Sequence, residues 1–357
     1  MNRSWKLTVY KSWDEVTDSA FVEETMKWFR LDQESHVFYH PAMIKAWVET
    51  YRRYHDIYPL YCLAEQGDTK VFFPLVIWRR KLKNLFLRII APVGISNYDY
   101  HDPIVTVKRT QTLMSSFWKL IEEKLFDDKK LEYDQINIQG MHFCSKGMLW
   151  EKDTESCPYI KLNLYEDFSD YVSHLKKGLR QDIGRQKRRL SLLGELRYKV
   201  YASLEEALKI LPEFIVAQKR RWPKDFKPPG FLEAILKEGL PQEIVHFSSL
   251  KIEDVPISWH LGFKHNERFY YYMPVYDDKY ATYSPSKIQL TYLIEECIRN
   301  EITIFDQLRG DEQYKNEWTN DYDCIYGYNR NGKYLNSLIK IKAYEGLAYL
   351  KRKMRNS

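Results

Sequence analysis

The chain has 357 residues, of which 44% are hydrophobic and 29% are charged. This length fits roughly two domains, and the composition excludes the disordered and the integral-membrane classes. The formal net charge of +6 is too small to indicate a polyanionic partner for the whole protein.

The sequence contains no apolar run close to the roughly 20 residues that a transmembrane helix needs. The N-terminus lacks an apolar core segment, so we expect no secretory signal and a cytoplasmic location. The cysteines are scattered, odd in number and never in a CxxC pair, so we expect neither a disulfide framework nor a zinc site, and no metal. They are Cys62, Cys144, Cys157, Cys297 and Cys324.

The first 150 residues predict alternating helices and strands. Pro41 suits the first turn of a helix, and Gly67-Asp68 suits the reversal between two strands. In chain order we expect a helix over 41–54, strands over 58–64 and 71–78, a helix over 110–125 and a strand over 135–139.

The polar stretch 151–158 mixes charges and ends in a proline, which favours a domain boundary. We therefore expect an N-terminal domain over 1–155 and a C-terminal domain over 156–357. The second half predicts strands over 159–164, after Gly194, 243–250, 256–263, 268–275 and 302–308, and helices over 168–193, 204–221, 231–238 and 285–299.

Both halves combine helices with an antiparallel meander of strands. This common order predicts an α/β (α+β) protein of two related halves, each with a mixed, largely antiparallel sheet flanked by helices.

The start of the 285–299 helix is a candidate anion site. Ser284 is placed as N-cap and Pro285 as first helical residue, so the amides of Ser286, Lys287 and Ile288 should point outward. These donors, the helix dipole and the lysine would hold a pyrophosphate or carboxylate. Plain capping beside a solvated lysine is the alternative. The sequence has neither GxGxxG nor GxxxxGK[ST], which disfavours a Rossmann unit and a P-loop.

The segment 304–318 gathers charged groups at a strand end, which is where open α/β sheets place their ligands. The alternative is structural ion pairing, of Asp306 with Arg309 or of Asp311 with Lys315. The residues concerned are Asp306, Arg309, Asp311, Glu312, Tyr314 and Lys315.

Basic residues concentrate in two segments. Residues 176–190 carry seven Lys/Arg against one acid, and 340–355 carry six against one. In the first segment Arg180 and Arg185 could bind phosphate of a nucleotide-sugar, a lipid-linked sugar, CoA or tRNA, although a solvated helix face is the alternative. The second segment could rest on an anionic membrane or pack on the domain.

Four motifs together indicate a resemblance to a known family. They are Phe38-Tyr-His-Pro…Trp47, Gly94-Ile-Ser-Asn-Tyr-Asp…Asp102-Pro, the basic segment from Lys176 to Arg189, and Phe305-Asp-x-x-Arg-Gly-Asp-Glu-x-Tyr-Lys315. Over about residues 35–330 the chain resembles the cellulose-biosynthesis-type acetyltransferases of the GNAT superfamily, which are relatives of the Fem-type peptidoglycan aminoacyltransferases. The last motif is the most specific of the four.

This resemblance implies two GNAT-like halves, of which the second is catalytic, an acyl-CoA donor such as acetyl-CoA, and an acceptor linked to surface carbohydrate. The chain departs from ordinary GNAT enzymes at one point. Their glycine-rich pyrophosphate loop is absent, and Ser284-Pro-Ser-Lys287 stands in its place.

Acyl transfer from a thioester needs a proton acceptor for the nucleophile and an acid for the departing thiolate. Asp306 is our candidate to accept or orient the acceptor's proton, with His260 as a second candidate base. Tyr314 stands where GNAT enzymes often present a tyrosine to the thiolate. For both His260 and Tyr314, the alternative is a purely structural role. Ser284, Ser286 and Lys287 are the candidate donor-binding residues, and Arg309, Asp311, Glu312, Lys315, Arg180 and Arg185 the candidate substrate-binding residues.

We therefore expect an N- or O-acyltransferase that moves an acyl group, with acetyl expected, from acyl-CoA to a sugar used in surface polysaccharide. The acceptor would be a small-molecule or lipid-linked sugar, with peripheral membrane contact through the basic segments. The alternatives are an aminoacyl-tRNA-dependent transferase and a non-catalytic carbohydrate- or lipid-binding scaffold. We expect no DNA partner.

Overall fold

The computed structural model describes residues 4–82, 85–142, 150–224 and 227–355. Cys144 lies outside these residues, and Cys62, Cys297 and Cys324 are free thiols. Within the described ranges, no helix is long and apolar enough to cross a membrane.

Strands and helices are numbered separately in chain order. The strands are β1 (Lys6–Tyr10), β2 (Ile57–Gln66), β3 (Thr69–Leu82), β4 (Leu85–Pro92), β5 (Ile104–Val105), β6 (Gln135–Met141), β7 (Glu151–Lys161), β8 (Leu196–Val200), β9 (Val245–Ile252), β10 (Val255–His265), β11 (Arg268–Tyr276), β12 (Ile304–Asp306) and β13 (Tyr322–Asn331). The helices are α1 (Trp13–Thr17), α2 (Ser19–Leu31), α3 (Pro41–Tyr54), α4 (Gln111–Ile121), α5 (Phe168–His174), α6 (Lys177–Ser191), α7 (Leu204–Arg221), α8 (Phe231–Gly239), α9 (Pro285–Arg299), α10 (Lys315–Trp318) and α11 (Leu335–Arg355).

The chain forms two compact units. The first contains the residues up to Thr154 together with those from Ile325 onward, and the second runs from Glu155 to Cys324. The sequence predicted a second domain that continues to residue 357, so the end of the chain differs from that expectation. The reason is strand pairing and packing, because β13 pairs antiparallel with β6 and Ile341 of α11 packs against the β4 residues Leu87, Ile89 and Ala91.

The two units repeat one strand order. In the first unit the strands lie as β1-β2-β3-β4-β6-β13, and in the second as β8-β9-β10-β11-β12-β7. Neighbours are antiparallel, except that β4 and β6 are parallel and so are β11 and β12. Each unit is therefore a meander followed by a helix, α4 or α9, and a strand parallel to the last one of the meander. The expected mixed sheets flanked by helices are confirmed.

The helix α9 anchors the core of the second unit. Its side chains at helical spacing, Leu290, Leu293, Ile294 and Cys297, pack against α5, α6 and the strands β11 and β12. Burying four such side chains contributes several kcal/mol, so α9 and the carboxyl ends of β11 and β12 hold fixed positions.

Three helices have the bounds that the sequence predicts: α3, α7 and α9. Pro41 and Pro285 stand at the first turns of α3 and α9. The missing amide hydrogen of proline costs no helical hydrogen bond there. A strong start signal combined with apolar residues three and four apart explains this agreement.

The boundary stretch and the basic helix differ from prediction. Residues 151–158 belong to strand β7, whose first six residues are exposed or half-buried and therefore polar like a linker. The single helix predicted over 168–193 is two helices, α5 and α6, with Leu175 and Lys176 extended between them. The break lets Leu175 and Leu179 both enter the core, and no proline marks it.

The basic C-terminal segment lies in α11. Ile341 is buried and Tyr344 packs beside it, whereas Ile339, Tyr349 and Leu350 are exposed. One face of α11 thus packs on the first unit, and the membrane contact stays a prediction.

Candidate active site

Asp306 is the last residue of β12, and both oxygens of its buried carboxylate accept hydrogen bonds. Its side chain is 1% exposed, and Oδ2 accepts a hydrogen bond from Arg268 Nη1 at 2.7 Å. Oδ1 accepts from the amide of Leu308 at 2.8 Å, which holds Leu308 in the left-handed region at φ 60°. This turn cuts the strand predicted over 302–308 to three residues. The geometry favours a structural role for Asp306, since an acceptor cannot reach its oxygens.

The loop after β12 is closed by a buried lysine. The ammonium of Lys315 donates to the carbonyls of Leu308 at 3.3 Å and Arg309 at 2.8 Å, and pairs with Glu312 at 2.9 Å. Gly310 has φ 138°, and a Cβ there would lie 2.2 Å from Glu312 Oε2 and 2.8 Å from Lys315 Nζ. Glycine is required at this turn because any side chain would displace the ion pair.

The remaining charges of this loop bind the start of β7. Arg309 Nε donates to Glu155 Oε2 at 2.8 Å, and Asp311 Oδ1 accepts from the amide and hydroxyl of Ser156. The sequence suggested local ion pairs, of Asp306 with Arg309 and of Asp311 with Lys315. The structure shows Arg309 and Asp311 bound to Glu155 and Ser156, which are remote in sequence.

Tyr314 is the N-cap residue of α10 and differs from its charged neighbours. It packs against the core cluster that contains Tyr271 and Phe305. Burial, and after it the charge of Glu312, raise the pKa of Tyr314 well above its usual value. The phenol therefore stays protonated at neutral pH and can act as a proton donor.

Near Tyr314, the pairing of β11 with β12 ends and its pairing with β10 is interrupted. Its parallel pairing with β12 ends at Tyr270 opposite Asp306. Its register with β10 passes from Met273 opposite Leu261 to Tyr270 opposite Phe263, so that two residues oppose Gly262. Such a bulge bends the strand and interrupts the ladder. The backbone at Tyr271 and Tyr272 is thus the place where an extended substrate could pair with the sheet.

The start of α9 only partly resembles the predicted anion site. Pro285 is the first helical residue, but Ser284 is left-handed at φ 51° and its side chain makes no capping hydrogen bond, so its expected capping role is wrong. The amides of Lys287 and Ile288 donate to the Ser284 carbonyl at 3.0 and 3.3 Å. Two of the three predicted donors are therefore turned into the helix.

Lys287 is held between two carboxylates. Its ammonium lies 3.0 Å from Asp182 Oδ2 of α6 and 3.3 Å from Glu317 Oε2 of α10. Burial by itself would lower the pKa of Lys287, but the hydrogen bond with Asp182 and the charge of Glu317 outweigh burial and raise it. As it stands, this end of the helix fits a pyrophosphate poorly, because an anion would compete with both carboxylates.

His260 lies in β10 behind the bulge and is completely buried. Its ring stacks on Tyr271 with centroids 4.5 Å apart, and both ring nitrogens lack a partner among the described residues. Burial, and then His246, hold the pKa of His260 well below its usual value. A Cβ on Gly262 would lie 2.4 Å from this ring. A neutral, enclosed imidazole is unsuited to meet the acceptor directly.

Sequence reasoning missed a buried polar cluster at the far end of α9. The hydroxyl of Tyr198 donates to Glu296 Oε2 at 2.6 Å, and His246 Nε2 lies 3.1 Å from the same oxygen. Burial alone would raise the pKa of Glu296, but the hydrogen bonds with His246 and Tyr198 and the charge of His246 lower it to about 2. The carboxylate is therefore ionised inside the unit.

A second chain of polar contacts begins at the start of α9. The hydroxyl of Ser258 lies 3.2 Å from that of Ser286 and 2.6 Å from Gln289 Oε1, and Gln289 Nε2 donates to Ser248 at 3.2 Å. The detectable signal was the alternation of polar residues, His246 with Ser248 and Ser258 with His260, along otherwise apolar strands.

The basic face of α6 is exposed as the sequence predicts. Arg185 pairs with Asp182 at 2.6 Å and Arg180 donates to the Ser173 carbonyl at 2.8 Å. Arg189 donates to the Thr282 carbonyl at 2.9 Å and its guanidinium stacks over Tyr283. Arg189 thus reaches the loop before α9. Within the described part of the chain, the contacts of Arg180 and Arg185 stay on α5 and α6, so these two residues do not share a site with Asp306.

Among the described residues, no group of three or more His, Cys, Asp or Glu side chains could hold a metal ion. The candidate active site comprises Tyr314 and the bulged backbone of β11. The ion pairs of the loop after β12 hold this loop in place.

A comparison with known protein families finds a match within the second unit. Residues 177–316 match the family described as acetyltransferase (GNAT) domain, a match that covers α6 to α10 and thus the whole candidate site. The second unit therefore contains a segment that is similar to the GNAT acetyltransferase domain. No curated protein matches the chain.

Two solved structures share the fold across both units. The crystal structure of FemX has a TM-score of 0.58 at 10% identity and covers 89% of this chain and 98% of its own. A conserved protein of unknown function from Bacteroides thetaiotaomicron VPI-5482 has a TM-score of 0.52 at 14% identity, with 90% and 99% covered. At such low identity these likenesses establish the fold alone.

Proposed function

We propose that the protein is an acyltransferase that moves an acyl group, acetyl in the first instance, from acyl-CoA to an amine or hydroxyl of a sugar used in surface polysaccharide. The observation that carries the acyl-transfer part is the bulge at Tyr271 and Tyr272 beside the protonated phenol of Tyr314, inside a segment similar to the GNAT acetyltransferase domain. The sugar and its destination rest on the resemblance of the sequence motifs.

The residues at the site suit the acyl end of the donor. An acyl thioester is extended and carries a carbonyl, and the bulged strand offers it a backbone edge. The pyrophosphate of CoA would lie towards the start of α9, where Lys287 is already paired. We therefore assign binding of the acyl donor to β11. The proposed reaction uses no residue at the start of α9.

The transfer itself needs one proton donor from the protein. A nitrogen or oxygen of the acceptor forms a bond to the thioester carbon while the carbon–sulfur bond breaks. The Tyr314 hydroxyl gives its proton to the departing thiolate, and the proton that the acceptor loses restores the phenol. In this scheme Asp306 and Lys315 are positioning residues, because they fix the loop from which Tyr314 projects.

The test is release of the CoA thiol from acetyl-CoA by the full chain, with glucosamine as an amine- and hydroxyl-bearing acceptor. We expect thiol release that depends on glucosamine, with acetylglucosamine as product in a mass spectrum. Absence of both thiol release and acetyl-CoA binding would contradict the proposal.

The resemblance of the sequence motifs to relatives of the Fem-type aminoacyltransferases favours one second candidate, transfer of an aminoacyl group from tRNA. The exposed cations of α6 would suit the tRNA backbone. Binding of aminoacyl-tRNA without binding of acetyl-CoA, measured by calorimetry, would select this candidate, and binding of neither would select a non-catalytic scaffold.

A further inference from the structure

The outward face of α11 is apolar. Leu335, Ile339, Tyr349 and Leu350 are each more than half exposed. Because an α-helix has 3.6 residues per turn, these four positions and the exposed Gly346 between them fall on one side of the helix. Single exposed apolar side chains need no explanation, but a row of them along a helix is typical of an interaction surface.

The inward face of α11 fixes the rotation of the helix about its axis. Ile341 is buried against β4, and Tyr344 packs beside it. Ser337 Oγ donates to Asp134 Oδ1 at 2.9 Å, and Lys340 Nζ lies 3.4 Å from the same oxygen. The outward row therefore cannot turn into the first unit without breaking these contacts.

The charge of this helix is strongly positive. Residues 340–355 carry six Lys/Arg against one acid. Two of the lysines, Lys342 and Lys353, are exposed, and their spacing from Leu335 places them on the apolar face itself. Helices that lie in a membrane interface combine these features: the apolar side chains enter the acyl region, and the long lysine side chains reach the anionic headgroups.

The same observations disfavour two protein partners. A symmetric dimer through α11 would bring two basic segments together with one acid in each to offset them, and like charges that meet at an interface cost affinity. An acidic groove that encloses a helix needs most of the helix circumference, but the inward face is already packed on the first unit. A flat anionic surface with an apolar interior meets neither obstacle.

We propose that the outward face of α11 binds the surface of a bilayer that contains anionic phospholipid. The helix lies in the interface and does not cross the bilayer, since within the described ranges no helix is apolar enough to span it. The inference concerns the first unit and does not depend on the proposed acyl transfer. It also gives the basic segment at residues 340–355 a role that the acyl site does not supply.

The test is co-sedimentation of the full chain with two kinds of vesicle, one of phosphatidylcholine alone and one of equal parts phosphatidylcholine and phosphatidylglycerol. We expect the wild type to bind the mixed vesicles, less strongly as salt is added. The double variant Ile339→Gln, Leu350→Gln should bind them about tenfold more weakly or worse, because two side chains no longer enter the acyl region.

A second double variant, Lys342→Gln, Lys353→Gln, tests the electrostatic part. It should bind the mixed vesicles about tenfold more weakly and show little change on phosphatidylcholine alone.

The matched control is Leu31→Gln, Val107→Gln in the same unit. Both side chains are exposed, Leu31 in α2 and Val107 after β5, so the control makes two polar substitutions on other elements. It should bind the mixed vesicles as the wild type does. The melting temperatures of all variants should match that of the wild type, because the side chains replaced are exposed.

Absence of binding to the mixed vesicles, or equal binding by the wild type and both α11 variants, would overturn the inference. A dimer in solution that Ile339→Gln, Leu350→Gln dissociates would also overturn it, because a second copy would then cover the face. Glucosamine-dependent thiol release without vesicles should be the same for the wild type and all variants. Its absence from the wild type would concern the proposed function and leave the inference on α11 standing.

Discussion

Asp306 and Arg268 form an ion pair across the parallel strands β12 and β11, with Oδ2 and Nη1 2.7 Å apart. Arg268 stands opposite Ile304 at the first paired step of the two strands, and Asp306 stands opposite Tyr270 at the last one. The ion pair therefore spans the paired stretch, and the strands part directly after Asp306. The carboxylate that the motif suggests as a catalytic base is thus held by Arg268 and by the Leu308 amide.

Replacing this carboxylate should unfold the protein more easily. Asp306→Asn puts an amide against the Arg268 guanidinium inside the unit, and we expect the free energy of unfolding to fall by about 1–3 kcal/mol. Removing Arg268 takes the oppositely charged partner from a buried carboxylate, so Arg268→Met should cost about 3–5 kcal/mol. Urea unfolding of the three proteins measures both.

The catalytic interpretation of the sequence predicts otherwise, namely a stable Asp306→Asn with turnover reduced by roughly a hundredfold or more. A variant with the unfolding midpoint of the wild type and that loss of turnover would restore Asp306 as the base. Full stability with full activity would contradict both accounts.

The motif predicts a site in the loop after β12, but the contacts of its charged residues could not be predicted from their spacing. The partners of Asp306, Arg309 and Asp311 are Arg268, Glu155 and Ser156, which lie 38 or more residues away in the chain. Local sequence predicts which side chains meet within one turn of a helix. It does not predict contacts between residues on strands that are distant in the chain.

Tyr314→Phe should lower turnover with little change in stability. The raised pKa of this phenol keeps it protonated well above neutral pH, so loss of the hydroxyl removes the acid for the thiolate. We expect a fall in kcat of about 10²–10⁴-fold and a nearly unchanged KM for acetyl-CoA. Steady-state kinetics of thiol release measures both constants.

Tyr171→Phe is the control for this prediction. Tyr171 belongs to the same core cluster and its pKa is also raised by burial, but its hydroxyl faces the Trp318 carbonyl at 3.4 Å. Turnover by this variant should match that of the wild type. An equal loss of turnover in the two variants would show that packing, and not acid catalysis, is being measured.

The carboxylates beside Lys287 should weaken donor binding. If the lysine contacts a phosphate of the donor, freeing it in the double variant Asp182→Asn, Glu317→Gln should tighten acetyl-CoA binding, whereas Lys287→Met should weaken it by about 1.5–3 kcal/mol. Calorimetric titration tests both changes, with the exposed Lys219→Met of α7 as control. Unchanged affinity in all variants would make the start of α9 purely structural.

Glu296 should make the second unit sensitive to acid. Its pKa is lowered from 4.5 to about 2 in the folded protein, so the unfolded chain binds a proton first as the pH falls. The stabilisation is complete above about pH 4.5 and is lost between pH 4.5 and 2, with a total on the order of 3 kcal/mol.

Glu296→Gln should lose this dependence on pH, whereas the exposed Glu213→Gln of α7 should keep it. Thermal unfolding between pH 6 and pH 2 provides the comparison. Parallel curves for the wild type and Glu296→Gln would contradict the lowered pKa and the buried ionised carboxylate that it describes.

Helices whose bounds depend on neighbouring residues could be predicted from the sequence, whereas features that depend on remote contacts could not. Proline and apolar periodicity determine α3 and α9, and both were predicted with their observed bounds. The division between α5 and α6 and the return of α11 to the first unit come from packing against remote strands. The buried contacts of Ser258, Gln289 and Ser248 join three elements, so no window of sequence contains them.

The central claim is that the acyl donor lies along β11 at its bulge. Hydrogen exchange of the full chain with and without acetyl-CoA tests this claim most directly. We predict that acetyl-CoA slows exchange of the amides of Tyr271 to Met273 and of Tyr314 and Lys315, and leaves the amides of β2 and β3 unchanged. Acetyl-CoA that binds without slowing exchange in β11, or that protects only the first unit, would contradict the account.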